Sequence, residues 1–118
     1  MTSVTLKTIK QRYAFLRLRD KGQKQVTRYF ILQAFDRADD GCALYGLTAS
    51  KKIGNAVRRN RARRRLRALV RVHLAPVAQQ GWDYGLIARY DMADAPFDKV
   101  QAAFIAATKA IHSQAVLR

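Results

Sequence analysis

Between Lys51 and Arg71 the chain reads KKIGNAVRRNRARRRLRALVR, with ten Lys/Arg side chains and no acid. The formal net charge of the whole chain is +15, so the charge is concentrated in this stretch rather than spread. Asn55 stands at the N-cap position of a helix beginning at Ala56, and no Gly or Pro interrupts the chain until Pro76. That leaves room for about five turns. Wound at about 100° per residue, the helix sorts into two faces. Ala62, Leu66, Leu69, Val70 and His73 fall in one apolar sector and must pack on something. Asn60, Arg64, Arg67 and Arg71 line up opposite, flanked by Arg61, and present parallel guanidinium forks to solvent or to a polyanion. Arg outnumbers Lys by eight to two in the stretch, which favours bidentate phosphate contact over point-charge attraction. A face that is merely solvated mixes signs to limit self-repulsion, and this one does not.

A chain of 118 residues with 49% hydrophobic content supports one core, hence a single domain over residues 1–118. Nucleic acid or an anionic membrane surface is the natural partner of so basic a protein. The basic helix has no Trp or Phe anchors beside its charges, which argues against a membrane. No apolar run approaches ~18 residues, and none at the N-terminus has signal-peptide length, so a cytoplasmic protein is expected. The one cysteine, Cys42, cannot close an internal disulfide and reads as a small buried strand residue.

Thr5 to Lys21 reads as a first helix, with Ile9, Tyr13 and Leu16 on one stripe and Gly22 as its stop. Gln23-Lys24-Gln25 is a connector. Burial statistics alone would place Phe15 in the core. Val26 to Phe35 is rich in β-formers and reads as a strand. It turns Tyr29, Ile31, Gln33 and Phe35 one way and Phe30, Leu32 and Ala34 the other. Both sides are largely apolar, so each sheet face should be covered. Asp36 to Gly41 is a polar turn, and Cys42 to Ala49 returns as the second strand of a hairpin. Pro76 and Gly81 bracket a linker, Trp82 to Tyr90 gives a strand internal to the sheet, and Asp91 to Pro96 is a turn. Phe97 to about Gln114 forms a last helix with Val100, Phe104, Ala107 and Ile111 on one face. The order helix-strand-strand-helix-strand-helix defines an α+β fold. It is a two-layer α/β sandwich whose mixed sheet contains a βαβ crossover around the basic helix.

Hydrolysis of a phosphodiester by a protein needs clustered carboxylates holding metal, or a His pair. All eight acids are Asp. Asp36, Asp39 and Asp40 sit in a turn, and Asp91, Asp94 and Asp98 lie around a turn and a helix start, where Asp serves turns and caps. His73 falls on the apolar stripe and His112 near the C-terminus, with no reason to meet. No P-loop, CxxC pair or nucleophile elbow occurs. The chain reads as built to hold a nucleic acid and offers no catalytic residue and no metal ligand set of its own.

Lys51-Lys52-Ile53-Gly54-Asn55-Ala56-Val57, followed by Arg59-Asn60-Arg61 and then Arg64 and Arg67, resembles the RNR signature of the protein subunit of bacterial ribonuclease P. The similarity extends upstream through Gly46-Leu47 and Ser50 and downstream to Ile87-Ala88-Arg89, covering most of the chain. The resemblance implies a ribosomal-protein-S5-domain-2-like arrangement with an unusual left-handed βαβ crossover, where general statistics favour a right-handed one. It also implies that the RNA subunit is the catalyst, using Mg²⁺ to hydrolyse the bond joining the 5′ leader to the mature tRNA. The protein would dock near the catalytic centre and improve substrate binding and metal use.

On that basis Lys51, Lys52, Asn55, Arg59, Asn60, Arg61, Arg64, Arg67 and Arg71 are the candidate contacts to the catalytic RNA. The leader would lie in a cleft between the first helix and one sheet face, held by base stacking and phosphate contacts. Phe15, Arg19, Tyr29, Ile31, Gln33 and Arg89 are its candidate residues. Arg19 stands where many relatives carry a second aromatic, and Gln33 where some carry Tyr. The implied partners are the catalytic ribonuclease P RNA and precursor tRNA, with no DNA and no membrane; the implied cofactor is Mg²⁺ held mainly by the RNA. A ribosomal protein or general RNA chaperone would share the basic helix without demanding so specific an order of residues. A DNA-binding module would carry more base-reading Asn, Gln or Ser on the exposed face than Asn60 alone.

Overall fold

The computed structural model of the chain describes residues 5–116; the outermost ends of the domain expected over 1–118 lie outside the described residues. In chain order the main elements are β1 (Leu6–Thr8), α1 (Arg12–Lys21), β2 (Gln23–Val26), β3 (Phe30–Asp36), β4 (Ala43–Thr48), α2 (Ala56–Leu69), β5 (Trp82–Ala88) and α3 (Phe97–Val116). The strands form one mixed sheet in the order β1-β4-β5-β3-β2. β4 runs parallel to both β1 and β5, whereas β3 is antiparallel to both β5 and β2. α2 is therefore the crossover of a parallel βαβ unit, and the fold is α+β as its element order requires.

Alternation along the strands assigns the two faces. Phe30, Leu32 and Ala34 of β3 join Tyr84 and Leu86 of β5, Ala62, Leu66 and Leu69 of α2, and Val100, Phe104, Ala107 and Ile111 of α3 in one buried core. Each fully buried side chain of this size contributes roughly 1.5–3 kcal/mol. On the other face, Ala14 and Leu18 of α1 pack with Ile9 against Phe35 and Leu44. Both faces are covered, in keeping with the two apolar sides of β3.

The start of α2 follows its sequence signals. Asn55 Oδ1 accepts the Arg58 N–H at 3.0 Å, a cap worth about 1 kcal/mol. Gly54 before it has φ +125°, a backbone that side-chain-bearing residues rarely adopt. It lets the chain swing from a 3-10 turn at Lys51–Ile53 into the helix. α2 ends in one π turn, Val70–Leu74, which buries Val70 and Leu74. His73, half-buried, bonds Gln101 on α3 at 2.9 Å.

Several expectations are corrected. The first helix begins at Arg12, because Leu6–Thr8 pairs with β4 as a parallel edge strand. Its buried face is Ala14 and Leu18, leaving Tyr13 exposed and Leu16 only half-buried. Gln23–Gln25 is not a connector; with Val26 it forms β2. The expected strand over Val26–Phe35 is broken at Thr27, whose hydroxyl accepts the N–H groups of Tyr29 (3.2 Å) and Phe30 (3.1 Å) and so closes a tight turn. Strands β3 and β4 are not a hairpin, since β5 lies between them and takes the ladder bonds of both. Cys42 precedes β4 and is half-exposed rather than buried.

Candidate nucleic-acid interface

The arginines of α2 divide into two groups. Arg58, Arg61 and Arg65 fasten the helix to the segment that follows β5. Arg58 donates Nε to Ile53 O at 2.8 Å and a terminal nitrogen to Tyr90 O at 2.9 Å, and pairs with Asp94. Arg61 reaches the other oxygen of Asp94 at 3.2 Å. Arg65 donates to Met92 O (3.0 Å) and Ala95 O (2.7 Å) while lying over the Phe97 ring. The Arg58 hydrogen bond holds the Asp94 carboxyl below its usual range. Burial, with the Arg61 charge adding to it, pushes the Arg65 guanidinium down.

Asn60, Arg63, Arg64, Arg67 and Arg71 are exposed, and among the described residues none of these arginines has an acidic partner. Lys51, Lys52 and Asn55 are exposed at the same end as the helix start. Arg59 is half-buried, and its Nε is a buried donor with no partner. Of the residues expected on this surface, Arg61 differs most, being tied to Asp94. Asn55 is occupied as a cap.

A hollow of about 210 Å³ opens between α1 and the sheet, lined by Phe15, Arg19, Gln33, Gly46, Thr48 and Ile87 among others. Gly46 and Gly85 are register partners at the centre of the parallel pair. A Cβ on Gly46 would come within 2.2 Å of the Phe15 ring, so that ring lies directly on strand backbone. A Cβ on Gly85 would meet Gln33 Oε1 at 2.8 Å. Phe15 keeps 39% of its surface exposed, so it borders the hollow rather than filling the core. Ile31 is the register partner of Ile87 on the same sheet face but lies outside the lining of the hollow. Arg19 sits at the rim in an exposed pair with Asp20 at 3.0 Å, which contributes little and can be exchanged for another anion.

Two expected cleft residues lie elsewhere. Tyr29 falls in the Thr27 turn, which reverses its side, and it packs against the main core. Arg89 is exposed and donates to Thr27 O at 3.0 Å, outside the lining of the hollow. Asp83 was missed by sequence reasoning. It is wholly buried in β5 and paired with Arg17 of α1 and Arg37 of the β3–β4 loop. Its position inside the strand, second in β5 between Trp82 and Tyr84, was the available signal, because an Asp within a strand has no turn to serve. These residues border a second hollow of about 420 Å³, on the other flank of α1 from Phe15, with Lys7, Lys10 and Tyr13.

An acid-free arginine face on one side of the sheet and a hollow floored by strand backbone on the other define an α+β protein built to bind a polyanion. A family model described as Ribonuclease P matches residues 5–112. A ribonuclease P protein component from Gluconacetobacter diazotrophicus is 44% identical over 81 residues, 69% of this chain and 70% of that one. Its counterpart from Natranaerobius thermophilus is 35% identical over 102 residues, 86% and 87% of the two chains. The solved RNase P protein of Staphylococcus aureus superposes with a TM-score of 0.70 at 29% identity, covering 86% of this chain and 92% of that one. The Thermotoga maritima RNase P protein, at 23% identity and a TM-score of 0.68, shares the fold. The chain belongs to the ribonuclease P protein family: it is an RNA-binding subunit of an endoribonuclease of tRNA processing.

Proposed function

We propose that the chain binds the catalytic ribonuclease P RNA through α2 and the 5′ leader of precursor tRNA through the α1 hollow, assisting removal of the leader. The observation that carries this is the division of the α2 arginines. Three are spent on packing, and the rest of the face keeps its donors for phosphate. Arg64, Arg67 and Arg71, with Asn60, Lys51 and Lys52, would meet the RNA backbone, each phosphate contact releasing counterions. In the hollow, the exposed edge of Phe15 would stack a base, while Gln33 and the Arg19 rim would orient the strand.

Cleavage itself is assigned to the RNA, with Mg²⁺ held mainly by that subunit. The described residues do not fit a resident Mg²⁺. Asp39, Asp83, Asp91 and Asp94 are each engaged by arginine, and no three His, Cys, Asp or Glu side chains among the described residues gather as ligands. No helix among the described residues is long and apolar enough to cross a membrane, and a cytoplasmic ribonucleoprotein is the setting proposed. Reconstitution tests the assignment. Protein alone should leave precursor tRNA intact, and adding the cognate RNA should give cleavage at the leader junction at low Mg²⁺. Cleavage by RNA-free protein that an Asp→Ala change abolishes would overturn it.

A further inference from the structure

Tyr90 follows β5 by two residues and leaves 60% of its surface exposed. An exposed tyrosine alone signifies little. This one is held from behind: the Arg58 guanidinium lies 4.2 Å over the ring centroid. That guanidinium is itself fixed on three sides, by Ile53 O at 2.8 Å, by Tyr90 O at 2.9 Å and by Asp94. One ring face is thus covered by an immobile cation, and the exposed area belongs to the opposite face and edge. A base stacking there would not have to freeze the ring first, which removes an ordering cost that a loose side chain carries.

Its place along the chain gives the ring a partner. Ile87, three residues earlier and next to the end of β5, lines the α1 hollow. The turn containing Tyr90 packs against Lys51–Ile53 and against α2. Tyr90 therefore links the end of the hollow to the cationic start of the helix, on a route by which a strand runs from one to the other. We infer that Tyr90, backed by Arg58, is a stacking platform for an unpaired nucleobase, that of the leader nucleotide leaving the hollow toward α2. This rests on the leader reading proposed above.

The test uses holoenzyme assembled with Tyr90→Ala, Tyr90→Leu, Tyr90→Phe or Phe15→Ala, and measures affinity for precursor tRNA, for leaderless mature tRNA and for the catalytic RNA. Tyr90→Ala and Tyr90→Leu should weaken precursor binding by roughly ten-fold, the scale of one lost stack. They should leave mature tRNA and catalytic RNA unchanged. Tyr90→Phe should bind as the parent does, because the ring and not the hydroxyl makes the contact. Leu keeps an apolar wall against Arg58, so its loss of binding cannot come from a collapsed turn. Parent-like binding by Tyr90→Leu, or weakened binding by Phe15→Ala with none by Tyr90→Ala, overturns the platform and leaves the hollow as the leader site. No effect from either residue overturns the leader reading itself. A loss confined to the catalytic RNA overturns the leader assignment of Tyr90.

Discussion

Replacing Asp83 by alanine should cost this protein more stability than its small size suggests. The carboxylate is wholly buried in β5; Oδ2 accepts from Arg17 at 2.8 Å, and Oδ1 is taken by Arg37. Arg37 has other partners, Asp39 at 3.0 Å and Cys42 O at 2.7 Å. Arg17 has no other acidic partner among the described residues, although its guanidinium still lies over the Phe35 ring. Removing one partner of a buried pair costs about 3–5 kcal/mol. The side chains are 28% and 13% exposed, so water relieves Arg17 in part, which favours the lower figure of about 3 kcal/mol. At about 3–6 °C per kcal/mol for a domain of this size, the melting temperature should fall by ~9–18 °C. Urea unfolding followed by circular dichroism gives the direct measure, with an unchanged slope confirming that only the folded state was affected. Asp83→Asn, which keeps one acceptor, should lose less. A shift under about 1 kcal/mol in Asp83→Ala would refute the reasoning, because it would place the pair in the class of exposed, screened ion pairs.

Leu66→Ala should destabilise by roughly 2–5 kcal/mol, since Leu66 is fully buried between α2 and the sheet. Arg64→Ala should leave the denaturation midpoint within about 0.5 kcal/mol and lower the salt slope of RNA binding by a little under one unit; the inverse pattern would mean the helix is turned the other way. Gly46→Ala places a Cβ 2.2 Å from the Phe15 ring. The ring end can swing aside, so precursor affinity should fall while the melt moves little, and an intact affinity would show that the ring position is not needed. Burial depresses His112 below its ordinary value of 6.5, and its Nε2 meets the Tyr84 hydroxyl at 2.8 Å. The folded pKa lies below the unfolded one, so this stability is complete above about pH 6.5 and lost as pH falls toward the folded value. His112→Phe should remove that slope in urea midpoints taken across the range, and an unaltered slope would exclude His112 as its source.

The sequence was most legible where local chemistry and tertiary demand agree. Asn55, Ala62, Leu66 and Leu69 set the start and phase of α2 unaided, and the α3 stripe of Val100, Phe104, Ala107 and Ile111 is buried as its spacing requires. It was least legible where a partner distant in sequence decides. Leu6–Thr8 looks helical beside Ile9 and Tyr13, yet the unfilled edge of β4 captures it as a strand. The order of strands was hidden for the same reason, because β5 enters between β3 and β4 from nearly forty residues away by position. Thr27 carries the other lesson. One hydroxyl accepting two backbone N–H groups ends a strand whose β-propensity is otherwise unbroken, and it removes Tyr29 from the cleft. Candidate RNA contacts were legible as types but not as allocations: nothing local to Arg58, Arg61 or Arg65 says that Asp94, and for Arg65 the carbonyls of Met92 and Ala95, some thirty residues later will hold them.

That allocation bears on how an acid-free helix is stable at all. Two guanidinium groups about 6 Å apart repel by roughly 3 kcal/mol at an effective dielectric of 20, and α2 has no acid in its own first turn to offset its dipole. The chain borrows its counter-charge from outside the helix, where Asp94 serves Arg58 and Arg61 together. Backbone carbonyls, which carry no net charge, take Arg65. The fastened arginines therefore lie on the sides that face protein, and their repulsion is compensated in the free chain. Arg63, Arg64, Arg67 and Arg71 have no such compensation among the described residues. Under the function proposed, RNA phosphates supply it. The same charges that strain the free helix then favour its assembly, and raising salt should stabilise the free protein while it weakens the complex.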